Sequence, residues 1–128
     1  MLLQTYFNRI KTEFDRYSAT RFVLDAEINF DLRPGDQGYV SGTIQFVNGA
    51  ELHFIEYVDA RKQNVDKLAY SYHFQDAGKR LVFRYDNAAH KPQLPFATHK
   101  HLPTQVISAL APKLNEVLAE IFMLNGWT

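Results

Sequence analysis

Residues 2–17 place Leu3, Phe7, Ile10, Phe14 and Tyr17 at three- and four-residue intervals, a spacing that predicts an amphipathic helix. From Phe22 the period changes to two. Phe22, Leu24, Ala26, Ile28, Phe30 and Leu32 alternate with Asp25, Glu27, Asn29 and Asp31, giving one apolar and one wet face, as in an antiparallel strand. Arg33-Pro34-Gly35-Asp36 turns the chain. A second strand near residues 39–47 runs into Asn48-Gly49, a pair that accepts the positive φ of a tight hairpin. A third strand over 52–59 sets Leu52, Phe54, Glu56 and Val58 on one face. In a fourth, over 68–75, Leu68, Tyr70, Tyr72 and Phe74 alternate with Ala69, Ser71 and His73. After the turn at Asp76-Ala77-Gly78-Lys79, Leu81, Phe83 and Tyr85 mark a fifth. Residues 87–101 contain Pro92 and Pro95 and read as loop. A last helix opens at Pro112 with Leu114, Val117, Leu118, Ile121 and Phe122 as its stripe, proline being favoured in a first turn. The expected architecture is one α+β domain spanning residues 1–128. It has an N-terminal helix, a five-stranded antiparallel meander sheet and a C-terminal helix packed on one sheet face.

Composition narrows the chemistry. A chain of 128 residues buries roughly two thirds of its unfolded surface in one core. Its 14% aromatic share suits sheet packing. The sequence has no cysteine, which excludes disulfides, zinc–thiolate sites and a cysteine nucleophile. Neither a basic, apolar leader nor an apolar run of spanning length is visible, so a cytoplasmic protein without membrane contact is expected. Formal net charge is zero, which argues against indiscriminate nucleic-acid binding. The charge is uneven, however. Residues 79–101 hold Lys79, Arg80, Arg84, Lys91 and Lys100 against Asp86 alone, enough to grip one or two phosphates.

That window carries the candidate site. Arg84 and Asp86 alternate with Leu81, Phe83 and Tyr85 and so face away from the core. His90, His99 and His101 follow in the loop, where binding and catalytic groups concentrate. Two imidazoles and a guanidinium suit metal-independent cleavage of an RNA phosphodiester. One imidazole takes the 2′-OH proton, another protonates the leaving 5′-oxygen, and the guanidinium stabilises the phosphorane. Glu56 interrupts an apolar face, where a carboxylate costs several kcal/mol unless paired. It reads either as a base with a raised pKa or as a carboxylate held by Tyr70 and Tyr72. Tyr72 and Tyr85 are candidates for base stacking, and equally for core. His53 and His73 occupy solvent-side strand positions and read as structural. A rival set of ligands, His90, His99 and His101 with Asp86, describes a metal hydrolase.

Four segments in order also resemble a known family: Gly49, Leu52 and Glu56; Tyr70-Ser71-Tyr72 with Phe74; Arg84-Tyr85-Asp86-Asn87 with His90; and Phe96 with His99-Lys100-His101. Over residues 20–124 the chain resembles the TumE-type toxins of prokaryotic type II toxin–antitoxin systems. The resemblance implies a cytoplasmic, ribonuclease-like toxin neutralised by a small antitoxin, often a helix-turn-helix protein. Ala97-Thr98 stands where the family pattern has proline and histidine. The expected function is therefore an endoribonuclease toxin that needs no cofactor. His90, His99, His101, Glu56 and Asp86 form its catalytic set, with Arg84, Lys100, Tyr72, Tyr85 and Asn87 on the RNA substrate. The alternatives are a non-catalytic module whose basic loop contacts an antitoxin or another acidic partner, and the metal hydrolase. Whether the chain forms a homodimer is open at this stage.

Overall fold

A computed structural model describes residues 1–89 and 96–128. The chain runs as α1 (Leu3–Ser18), β1 (Val23–Arg33), β2 (Gln37–Phe46), β3 (Glu51–Asp59), β4 (Asp66–Gln75), β5 (Leu81–Asp86), β6 (His99–Leu102), β7 (Gln105–Ser108) and α2 (Leu114–Leu124). The strands form one antiparallel sheet in sequence order. The α+β class and the meander are as expected, but the sheet has seven strands where the hydrophobic pattern predicts five. Two short strands come from 99–108, the stretch whose prolines and histidines conceal any alternation. Pro103 lies outside both, in the turn between them, where a missing N–H breaks no ladder bond.

Alternation sends one sheet face into the core. Val40, Ile44, Phe46, Leu52, Phe54, Tyr72, Phe74 and Phe83 are buried there. They meet Phe7, Ile10 and Phe14 of α1 and Leu114, Val117, Leu118 and Ile121 of α2. Both helices take the stripes expected of them, α2 starting two residues later than expected, at Leu114. Contact between α1 and the sheet is close because Gly38 has no side chain. A Cβ there would lie 2.5 Å from the Phe7 ring, so any larger residue would push α1 outward. Gly49, with φ of 86°, makes the sharp β2–β3 hairpin, and Asn48 Oδ1 accepts from the Ala50 N–H at 3.1 Å.

Two residues of β1 expected on the buried face are exposed, Leu24 and, near the strand's end, Leu32 at 64%. Register shifts between Val23 and Asp25, so Leu24 bulges out and is 69% exposed while Val23 packs on the core. A bulge adds one residue to one strand and flips the alternation before it. No described helix is long and apolar enough to cross a membrane.

Candidate functional site

The sheet's second face carries no described helix, and the polar members of each strand line it in rows. Register fixes these rows: Ser71 pairs with Asp86 and Asp86 with His99, while His73 pairs with Arg84 and Arg84 with His101. Partners directly across a ladder share a face. The β5–β6 pairing, only three residue pairs long, therefore brings Arg84, Asp86, His99 and His101 together.

Asp86 is the hub. Its Oδ2 accepts from Arg84 Nε at 2.8 Å and lies 3.4 Å from His101 Nε2. Its Oδ1 lies 2.8 Å from His99 Nε2 and 3.4 Å from the Ala88 N–H. The carboxylate is buried, and the Arg84 guanidinium, two imidazoles and a backbone N–H surround its oxygens, which offsets the desolvation a lone carboxylate would suffer. His99 is 1% exposed and its Nδ1 faces the Ala97 carbonyl at 3.2 Å. With a carbonyl at one nitrogen and a carboxylate at the other, the ring is held in place from both sides. That makes His99 a positioning group, fixed behind the carboxylate. His101 is different, its side chain being 21% exposed, and Arg84 is more open at 42%. These two are the groups of the cluster that a ligand can reach.

Lys100 corrects the expectation of a shared phosphate grip. It pairs with Tyr85 across the ladder, so it points to the helix face, opposite His99 and His101. There its Nζ donates to Glu120 Oε2 of α2 at 2.6 Å and sits over the Phe83 and Tyr85 rings. Burial pulls its pKa down, but the bonds to Glu120 and Tyr85 outweigh that and raise it. Tyr85 Oη donates to Glu120 Oε1 at 2.6 Å, and burial together with Glu120 pushes its pKa up. Neither residue is placed to meet a substrate at Asp86. Glu120, which holds both, carried no signal in the sequence beyond being a polar position on a helix.

Glu56 and Tyr72 are also on the helix face. Glu56 is fully buried. It accepts from Tyr6 Oη and, at 2.5 Å, from Tyr72 Oη, with Lys67 Nζ 3.8 Å away. Burial first, then the Glu56 charge, raises the pKa of both phenols, and burial lowers that of Lys67. Of the two expected tyrosine partners Tyr72 is present, while the Tyr70 hydroxyl has no partner among the described residues. With 0% exposure Tyr72 cannot stack on a base, and Glu56 lies across the sheet from His101. Asn87 is spent on the backbone, its Oδ1 accepting from Tyr70 N and its Nδ2 donating to the Leu68 carbonyl, which ties the end of β5 to the first half of β4. His90 lies outside the described residues.

The sequence profile of the family described as Toxin TumE matches residues 12–123, most of the chain. The protein belongs to the TumE toxin family. No curated protein and no solved structure matches it. Asp86, His99 and His101 offer ligand atoms within 4.8 Å of one another, so this TumE-family cluster has the donors of a His/carboxylate metal site. Against a metal stands Arg84. Its guanidinium already binds Oδ2, so a divalent cation in the cluster would sit beside that positive charge.

Proposed function

We propose that this TumE-family toxin is a metal-independent endoribonuclease whose centre is Arg84, Asp86 and His101, with His99 behind them. The supporting observation is Asp86 itself, a buried carboxylate holding one exposed guanidinium and one partly exposed imidazole on the same oxygen. Arg84 would hold the non-bridging oxygens of the scissile phosphate and stabilise the charge that grows on them. His101 would take the 2′-OH proton as the 2′-oxygen attacks phosphorus, or return a proton to the departing 5′-oxygen, while Asp86 keeps the ring oriented. One imidazole does one of those jobs, and His90 is the sequence's candidate for the other. The products are a 2′,3′-cyclic phosphate and a 5′-hydroxyl. An antitoxin, of the helix-turn-helix kind, would be the neutralising partner of such a toxin in the cytoplasm.

The test is incubation of purified protein with RNA, with and without excess EDTA, and chemical mapping of the ends. Cleavage that persists in chelator and leaves cyclic phosphate is expected. The metal reading, favoured by the compactness of the Asp86–His99–His101 donors, predicts loss in EDTA and restoration by a transition metal. A protein that is harmless when expressed alone and inert on RNA would leave the non-catalytic binding module.

A further inference from the structure

Beside the Asp86 cluster the open face carries a trough that the cluster leaves unused. Small hydroxyl residues Ser41, Thr43 and Ser71 make it low in the middle, and His53, Ile55 and His73 stand around them. Arg84 closes one end and Glu27 the other, and the volume is about 530 Å³, within the roughly 300–1,000 Å³ of small-ligand sites. Register orders these residues into one row running from the catalytic end. His101 pairs with Arg84, Arg84 with His73, His73 with His53, His53 with Thr43, and Thr43 with Glu27. At about 4.8 Å per strand, His53 lies roughly 10 Å and Thr43 roughly 14 Å from Arg84.

The lining specifies its occupant's chemistry. A second phosphate is disfavoured because Arg84 is the only arginine or lysine among the described lining residues, at the end shared with the site, and the far end is a carboxylate. Between them lie neutral hydroxyls, two imidazoles and Ile55, which is 38% exposed. Burial lowers the His73 pKa, which keeps that ring uncharged at neutral pH. Flat rings, a small apolar surface and several hydrogen-bonding hydroxyls suit a planar, uncharged, polar-edged ligand. Nucleobases have those properties, and they stack on imidazole as on other aromatic rings. A base also hangs one sugar away from its phosphate, which matches a trough that begins at Arg84. His53, roughly two strands from Arg84, is within reach of such a base, whereas Glu27, about four strands away, only bounds the trough.

We propose that the trough is the nucleobase subsite of the toxin, holding an unstacked base of single-stranded RNA whose phosphate sits at Arg84. The assignment rests on the ribonuclease reading for the position of the phosphate. Base pairing would keep a nucleobase out of the trough, so single strands are the substrate class.

Ile55→Glu and Thr43→Glu, made separately in a His101→Ala background, test it by fluorescence anisotropy with a labelled 2′-O-methyl RNA oligonucleotide. Each is expected to weaken binding about tenfold, the scale of one lost base stack, with an unchanged circular-dichroism spectrum. Removing a single base from the oligonucleotide at one position should reproduce the loss and add nothing to it in the Glu variants. In the His101 protein the same substitutions should raise KM and leave kcat within about threefold, as lost ground-state binding does. Unaltered affinity in both variants, equal sensitivity to an abasic sugar at every position, or no oligonucleotide binding at all overturns the subsite. Should the unsubstituted protein fail to cut RNA while the trough variants still lose affinity, the subsite survives and the ribonuclease reading falls. Normal cleavage with trough variants of unaltered affinity and KM does the reverse.

Discussion

Two buried carboxylates, one on each side of the same sheet, look alike as contact diagrams and differ in what lies above them. Glu56 is ringed by Tyr6, Tyr72 and Lys67, and Asp86 by Arg84, His99 and His101. Helix α1 covers the first, because Tyr6 is on the helix and closes the ring. No described helix covers the second, since both pack on the opposite face, and Arg84 and His101 beside it keep partial exposure. The partners differ accordingly. Phenols with raised pKa values stay protonated and simply satisfy Glu56, whereas imidazole and guanidinium are suited to move protons and hold anions. A carboxylate in a shell of donors is therefore no sign of chemistry by itself. What matters is whether one donor can be reached from outside.

That contrast breaks cleanly under substitution. The largest effect belongs to the open side: His101→Ala should cut RNA cleavage by about 10²–10⁴-fold, the usual contribution of a positioned acid or base, measured in single turnover. Its unfolding midpoint in urea should hardly move. Full activity would end the assignment of His101. On the covered side the order reverses. Glu56→Ala strands a buried lysine and two phenols, and is expected to cost about 3–5 kcal/mol in denaturant unfolding, with the folded fraction still cleaving at the normal rate. Glu56→Gln, which keeps an acceptor for the phenols, should lose less. Lost turnover in folded Glu56→Gln would put that carboxylate back in the mechanism.

Smaller effects sharpen the boundary between the faces. Lys100→Met removes the partly buried pair with Glu120 and should cost about 1 kcal/mol while leaving cleavage and the salt dependence of RNA binding unchanged. A weakened salt dependence would return Lys100 to the phosphate. The smallest effect is a pH dependence at His73. Burial, with Arg84 and His53 nearby, holds its folded pKa below the ordinary 6.5, against a raising bond from Gln75. The unfolded chain therefore binds its proton first as pH falls. The stability is fully present above 6.5 and drains away as pH drops toward the lowered folded value. Stability measured from about pH 7.5 to about pH 5.5 should fall less in His73→Gln than in the original protein. An identical slope in both would show that His73 contributes nothing to it.

Much of this was readable along the chain. Strict alternation in β3, β4 and β5 assigned Glu56 and Tyr72 to the core side and Arg84, Asp86 and His73 to the other before any coordinates. The same rule also assigns Lys100 to the face opposite His99 and His101, once 99–101 is known to be a strand. Residues 87–101 read as loop, and in a loop three successive side chains have no fixed faces, so the pattern alone groups Lys100 with its neighbours. Register added what alternation could not. His53 and His73 read as structural because they occupy solvent-side strand positions, and only the ladder sets them in line with Arg84 and His101.

Periodicity, turn residues and the missing cysteines determined the helices, five strands, the meander order and the exclusion of thiol chemistry, because each depends on residues a few positions apart. Tertiary structure decided which carboxylate is covered and which is open. It also added the last two strands and fixed β6 on β5 across a span of a dozen intervening residues. Pairing at that distance depends on the hydrogen-bonding edge that β5 leaves exposed, and no local pattern encodes where a returning segment will settle on it.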